Sequence, residues 1–139
     1  MVWRERDKFF AILALGLLLC SLAAARPRKM QRLPTGTWGG QHIRMEVDAT
    51  SATIDYDCAT GTIAGPFKLD SKGHFSWHGR HVTEHGGPIR RDEDSNGQPA
   101  TYSGSVHGDT MTLIVSVGDR EVDRYTLKRG SSGRVFKCK

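Results

Sequence analysis

The chain has 139 residues, 37% of them hydrophobic, with 20 Lys and Arg against 15 Asp and Glu, a formal net charge of +5. That excess is mild and sits mostly at the two ends, whereas a nucleic-acid footprint wants a clustered basic stripe with interleaved aromatics. Nucleic acid is therefore not an expected partner, and the length leaves room for one small domain.

Residues 1–25 have the order of a secretory signal. Arg4, Arg6 and Lys8 stand among the opening charges, an apolar run follows from Phe9 to Leu19, and Ala23, Ala24 and Ala25 come next. The run is too short to span about 30 Å of hydrocarbon as a stable anchor. The expected cut is after Ala25, which gives a periplasmic or extracellular protein with no stable membrane span. Lipidation at Cys20 is the competing reading, disfavoured because Leu19 before it is large; an uncleaved anchor is the other. Removing Arg4, Arg6 and Lys8 together with Glu5 and Asp7 leaves 17 basic and 13 acidic residues, a net charge of +4. Arg26, Arg28, Lys29 and Arg32 lie at one end, with Lys128, Arg129, Arg134, Lys137 and Lys139 at the other. They read as soluble tails with a loose attraction to anionic surfaces such as lipid headgroups or cell-wall polymers.

Export reduces three cysteines to two. An even count in an exported chain predicts a disulfide, Cys58 to Cys138. Residues 26–35 read as a flexible lead-in and 36–139 as the folded domain. From residue 36 on, nearly every segment alternates with a period of two, the mark of half-buried strands. Ile43, Met45 and Val47 alternate with polar neighbours; so do Ala52, Ile54, Tyr56 and Cys58, then Ile63, Gly65, Phe67 and Leu69. Met111, Leu113, Val115 and Val117 form another face, and Tyr125 and Leu127 the last. Short Gly- and Asp-rich turns separate these runs. The prediction is all-β: a small antiparallel up-and-down barrel of about seven or eight strands with one disulfide, because closure removes exposed sheet edges. The 84–99 connection carries charge, Gly and Pro without apolar rhythm and reads as a mobile surface loop.

Residues 73–87 hold His74, His78, His81 and His85. Gly73, Gly79 and Gly86 argue against a helix, since each interior glycine costs about 1 kcal/mol. On a strand, His74 and His78 lie opposite Phe75 and Trp77. His81 then points inward with Trp77 unless the strand slips at Gly79; a bulge there, the more economical reading, would turn Val82 inward and leave His81 and His85 outside. Four residues of strand cover about 13 Å, too far for two such histidines to share an ion comfortably. A surface metal site on these four is the third-ranked functional reading, behind solvated histidines.

Gly36-Thr37-Trp38 resembles the Gly-x-Trp signature of lipocalins and the Gly-Thr-Trp of avidin-like barrels. The whole is similar in style to short exported bacterial barrel proteins with no assigned role. The resemblance implies that Trp38 packs across the closed end of the barrel, with Arg129, or less favourably Arg134, laid over it. The other lipocalin motifs and the biotin-holding residues of avidins are absent. Tyr56-Asp57-Cys58 also resembles the Tyr-x-Cys of small periplasmic inhibitors of c-type lysozyme, whose inhibitory loop is not recognisable here.

Catalytic patterns are thin. Asp55 and Asp57 share an exposed face, as acid–base pairs sometimes do. Ser103 and Ser105 near His107 sit on an outer face without a nucleophile elbow, and Arg90–Asp94 is a mixed charge run. No phosphate loop, helical metal motif or nucleotide fingerprint is present, so neither an enzyme nor a cofactor is expected. The first expectation is an exported binding protein, with a small apolar ligand in the barrel mouth lined by Tyr56, Phe67, Trp77, Tyr102, Met111 and Tyr125. For each of these residues plain core is the favoured reading. The alternative is a protein-binding module or hydrolase inhibitor working through the 84–99 loop.

Overall fold

The computed structural model describes residues 29–88, 91–92 and 97–138. The expected leader and its cut site lie outside these residues, as do positions 89–90 and 93–96 of the 84–99 connection. Among the described residues there is no helix, and none therefore long and apolar enough to cross a membrane.

The period-two segments become strands. These are β1 (Gln31–Arg32), β2 (Gly36–Gly40), β3 (Ile43–Val47), β4 (Ser51–Tyr56), β5 (Ala59–Ala64), β6 (Lys68–Leu69), β7 (His74–Thr83), β8 (Gln98–His107), β9 (Thr110–Val117) and β10 (Arg120–Arg129). Eight of them close into an antiparallel barrel in the order β10-β2-β3-β4-β5-β7-β8-β9. Each strand pairs with its sequence neighbour, so the barrel is an up-and-down meander closed by β10 against β2. The alternation seen in sequence is the alternation of faces: Met45 opposes Ile54, Ala52 opposes Ile63, Trp77 opposes Tyr102, and all six are buried.

The seam that closes the ring is narrow. Only Lys128 and Arg129 of β10 are in register with β2, opposite Gly39 and Trp38. Above them, Arg120–Thr126 pair with β9 alone, across a register shift between Glu121 and Asp123. The wall made by β7–β10 therefore stands taller than the wall made by β2–β4.

Two pieces outside the barrel complete it. At one end β1 pairs with β6, Leu33 donates its N–H to the Phe67 carbonyl (3.0 Å), and Leu33, Phe67 and Leu69 are buried across the opening. Part of the segment expected to be a flexible lead-in is thus a folded cap, drawn down by Leu33. At the other end residues 131–138 run back over the outside of β2 as a strap. A side chain at Gly39 would collide with the backbone of Ser131 and Gly133, so glycine there permits the approach. The strap is fastened by His42 N–H to Arg134 O (2.7 Å), Arg134 N–H to Gly40 O (2.9 Å) and Phe136 N–H to Asp57 Oδ1 (2.6 Å). The expected Cys58–Cys138 disulfide ends it, joining residues 80 apart in sequence with Cα atoms 4.9 Å apart. His42 and Cys58 both hold positive φ (65° and 58°) without being glycine. Such conformations persist where surrounding contacts over-determine them, and at both positions those contacts belong to the strap.

Candidate functional site at the open end

The lower half of the barrel is filled. Phe75 and Trp77 stack at 3.9 Å between ring centroids, and Phe67 meets Trp77 edge-on at 5.3 Å. Trp38, Met45, Met111, Leu113 and Leu127 are fully buried around them. Both buried indoles are satisfied: Trp38 donates to Pro34 O (3.3 Å) and Trp77 to Lys68 O (3.2 Å). Trp38 therefore closes the capped end. Arg129, its register partner on β10, stands exposed at the rim beside it. Arg134 instead belongs to the strap. Phe67, Trp77 and Met111, expected to line a ligand cavity, are packing residues here.

The upper half is built differently. Tyr56, at the end of β4, stacks on Tyr125 of β10 (5.5 Å, 29°) and lies against His81 of β7 (5.5 Å, 46°). The expected bulge at Gly79 does not form. β7 keeps unbroken register with β5 from Gly79 to Thr83 and with β8 from His74 to His81. His81 consequently points inward, and Val82 is not the inward residue. The reason is steric. A side chain at Gly79 would meet the Thr62 carbonyl first and the Tyr102 ring next, and the Tyr102 hydroxyl, with that of Tyr56 beside it, occupies the place at Gly61. The glycines are space for the neighbouring strands, not breaks in a strand.

The polar atoms of this layer are unequally served. Tyr102 donates its hydroxyl to Arg80 O at 2.7 Å. Tyr56 Oη and His81 Nδ1 are buried with no hydrogen bond of ordinary geometry, the Tyr56 hydroxyl lying beside that of Tyr102, which is itself given to Arg80 O. A buried polar group left unpaired costs roughly 1–3 kcal/mol. Burial pushes the Tyr56 phenol far above its ordinary range. Burial and then the Asp123 carboxylate do the same to Tyr125, and burial alone lowers His81. All three stay neutral near pH 7, so the layer offers hydrogen bonds without charge.

Two recesses open onto it. One of about 380 Å³ lies in the mouth, bordered by His81, Gln98, Val117, Arg120, Glu121 and Val122. The other, of about 460 Å³, lies at the seam, where the free edge of β10 (Asp123, Tyr125) faces Gln41, His42 and Asp57. Of the expected lining residues, Tyr125 borders the seam recess, while Tyr56 and Tyr102 lie buried in the same layer. Plain strand alternation points His81 inward with Trp77, and the pairing of Gly61 with His81 across β5 and β7 decides for that direction over the slipped one.

The remaining candidates are scattered. His74 and His78 face outward, His81 inward, and His85 follows the end of β7. Among the described residues no group of three or more His, Cys, Asp or Glu is placed to hold a metal ion. Asp55 and Asp57 serve the strap: Lys137 Nζ lies 3.1 Å from Asp55, and Asp57 takes the Phe136 N–H and His42 Nδ1 (2.5 Å). The Phe136 hydrogen bond, then that of His42, holds the Asp57 carboxyl below its ordinary range. Ser103 and Ser105 lie on the outer side of β8, whose last residue is His107.

No protein-family model, curated protein or solved structure matches this chain.

Proposed function

We propose that this is an exported, lipocalin-like barrel that binds a small molecule at its open end and does no chemistry on it. The observation that carries the reading is the pair of unpartnered buried atoms, Tyr56 Oη and His81 Nδ1, in the layer beneath the mouth recess. Native interiors pair such groups. A bound molecule with an acceptor for the Tyr56 hydroxyl and a partner for His81 would complete both. This narrows the expectation of a purely apolar ligand, which would leave both atoms unpaired while the lower barrel has no room for it. The disulfide is compatible with an oxidising compartment, in keeping with export.

The test is native mass spectrometry of protein exported into an oxidising periplasm and purified gently. The expected result is a small-molecule adduct on the wild type that is lost in both Tyr56→Phe and His81→Phe. An adduct retained by both variants overturns the assignment to this layer. A clean apo mass, together with a protein partner captured only when residues 84–99 are intact, replaces it with a protein-binding module.

A further inference from the structure

We propose that the capped end of the barrel is a docking face for an anionic phospholipid surface. The inference is independent of the ligand at the mouth. Its centre is the two-stranded cap. Arg32 and Lys68 stand directly opposite each other in the β1–β6 register, and both are exposed. Like charges so placed repel, and the cap cannot relieve this by shifting. Leu33 is buried and bonded to Phe67 O, and the carbonyl of Lys68 is held by the Trp77 indole at 3.2 Å. Two cations are thus held side by side by the core beneath them.

Their surroundings offer only partial relief, although Asp48 shares a recess with Arg32. Lys29, Lys72 and Arg129 are exposed at the same end, and none of these five cations forms an ion pair with a described residue. The acidic neighbours are Asp48, Asp70 and Asp109. Asp70 is already engaged, accepting the N–H groups of Lys72 and His74 (2.8 Å each) and facing His74 Nδ1 at 3.4 Å. Five cations against three carboxylates leave a surplus of positive charge for an outside anion to meet.

Two further observations select a membrane over a dissolved anion. Met30, between Lys29 and the cap, is 66% exposed, so an apolar side chain stands out from among the cations. That is the combination an interfacial surface accepts. The chain also reaches this face from the apolar run ending at Leu19, eleven residues before Met30. If that run stays attached, the cap lies within about 40 Å of its bilayer.

The experiment is co-sedimentation of the exported protein, its N-terminus mapped by mass, with vesicles of phosphatidylcholine alone or mixed with phosphatidylglycerol. Binding to the mixed vesicles only, weakening as salt rises, is expected. Arg32→Glu/Lys68→Glu should lower the partition about tenfold or more. Arg32→Gln/Lys68→Gln should give a smaller loss and guards against misfolding. Arg91→Glu/Arg124→Glu, the same charge change at the far end, should leave the partition nearly intact. Equal loss in both reversal variants means that only net charge matters and overturns the face. Equal binding to both vesicle types overturns it in favour of the apolar segment. Complete displacement by sodium polyphosphate at matched phosphate assigns the face to soluble phosphate polymers instead.

Discussion

The two halves of the barrel use similar aromatic residues to opposite ends. In the capped half every buried indole has an acceptor, and the rings lock together between Leu33 and Leu113. In the open half the rings meet at 5.5 Å rather than 3.9 Å between centroids, and two polar tips are left bare. Burial alone does not separate core from site; the completeness of hydrogen bonding does. One half secures the fold, while the other keeps hydrogen-bonding capacity in reserve.

The sharpest way to break this contrast is to cut into the capped half. Trp77→Ala should cost about 3–5 kcal/mol in urea unfolding, the range for a large aromatic removed from a packed interior. A loss below 1 kcal/mol would show that this half is not the anchor. Next is the strap. Replacing Cys58 and Cys138 by serine should cost up to about 4 kcal/mol, the chain-entropy figure for a loop of this span, with the loss largest in hydrogen-exchange protection around β2 and β10. Smaller but more diagnostic is a pair of tyrosines. Tyr102→Phe should destabilise by about 1 kcal/mol, because the Arg80 carbonyl loses its donor. Tyr56→Phe should stabilise the ligand-free protein by about as much, because it removes an unpaired hydroxyl. The same sign for both would erase the distinction between served and unserved hydroxyls inside the open half.

The smallest effect is in pH. Burial holds the folded pKa of His81 below its unfolded value of about 6.5. The unfolded chain then binds the extra proton first as acid is added. Stability is full above about pH 6.5 and falls below it, down to the depressed folded pKa. His81→Phe should flatten that part of a melting-temperature profile. Asp57 acts at lower pH and in the same direction: its contribution is present above about 3.9 and lost as pH falls through its lowered folded pKa. The strap should loosen there first, which amide exchange at Phe136 would report.

Much of the architecture was legible. Met45, Ile54, Ile63, Leu113 and Leu127 announced their strands by alternation, and turn residues separated them, because a half-buried strand must alternate. The disulfide followed from cysteine parity. The cap was not legible, since β1 and β6 have two residues each and no period can be read from two. The site was legible only in part. Tyr56, Tyr102 and Tyr125 were named, but His81 was turned the wrong way, because a strand glycine reads alike whether it marks a bulge or clears space for a ring on the next strand. Only the partner strands decide, and at Gly79 they are β5, through the Thr62 carbonyl, and β8, through the Tyr102 ring.

The strap has a mechanical consequence. A ring closed by two register pairs is easily peeled from the end of its last strand. Here that end is not free, because the penultimate residue is bonded to the β4–β5 turn. A pull on the C-terminus is carried across the disulfide into the middle of the sheet and loads none of the β10–β2 contacts. Among the described residues, a pull from the N-terminal side meets the two-residue cap before it reaches β2. An exopeptidase or unfoldase working from the C-terminus should therefore stall within the first few residues until the bond is reduced, while one working from the N-terminus meets no covalent stop before Cys58.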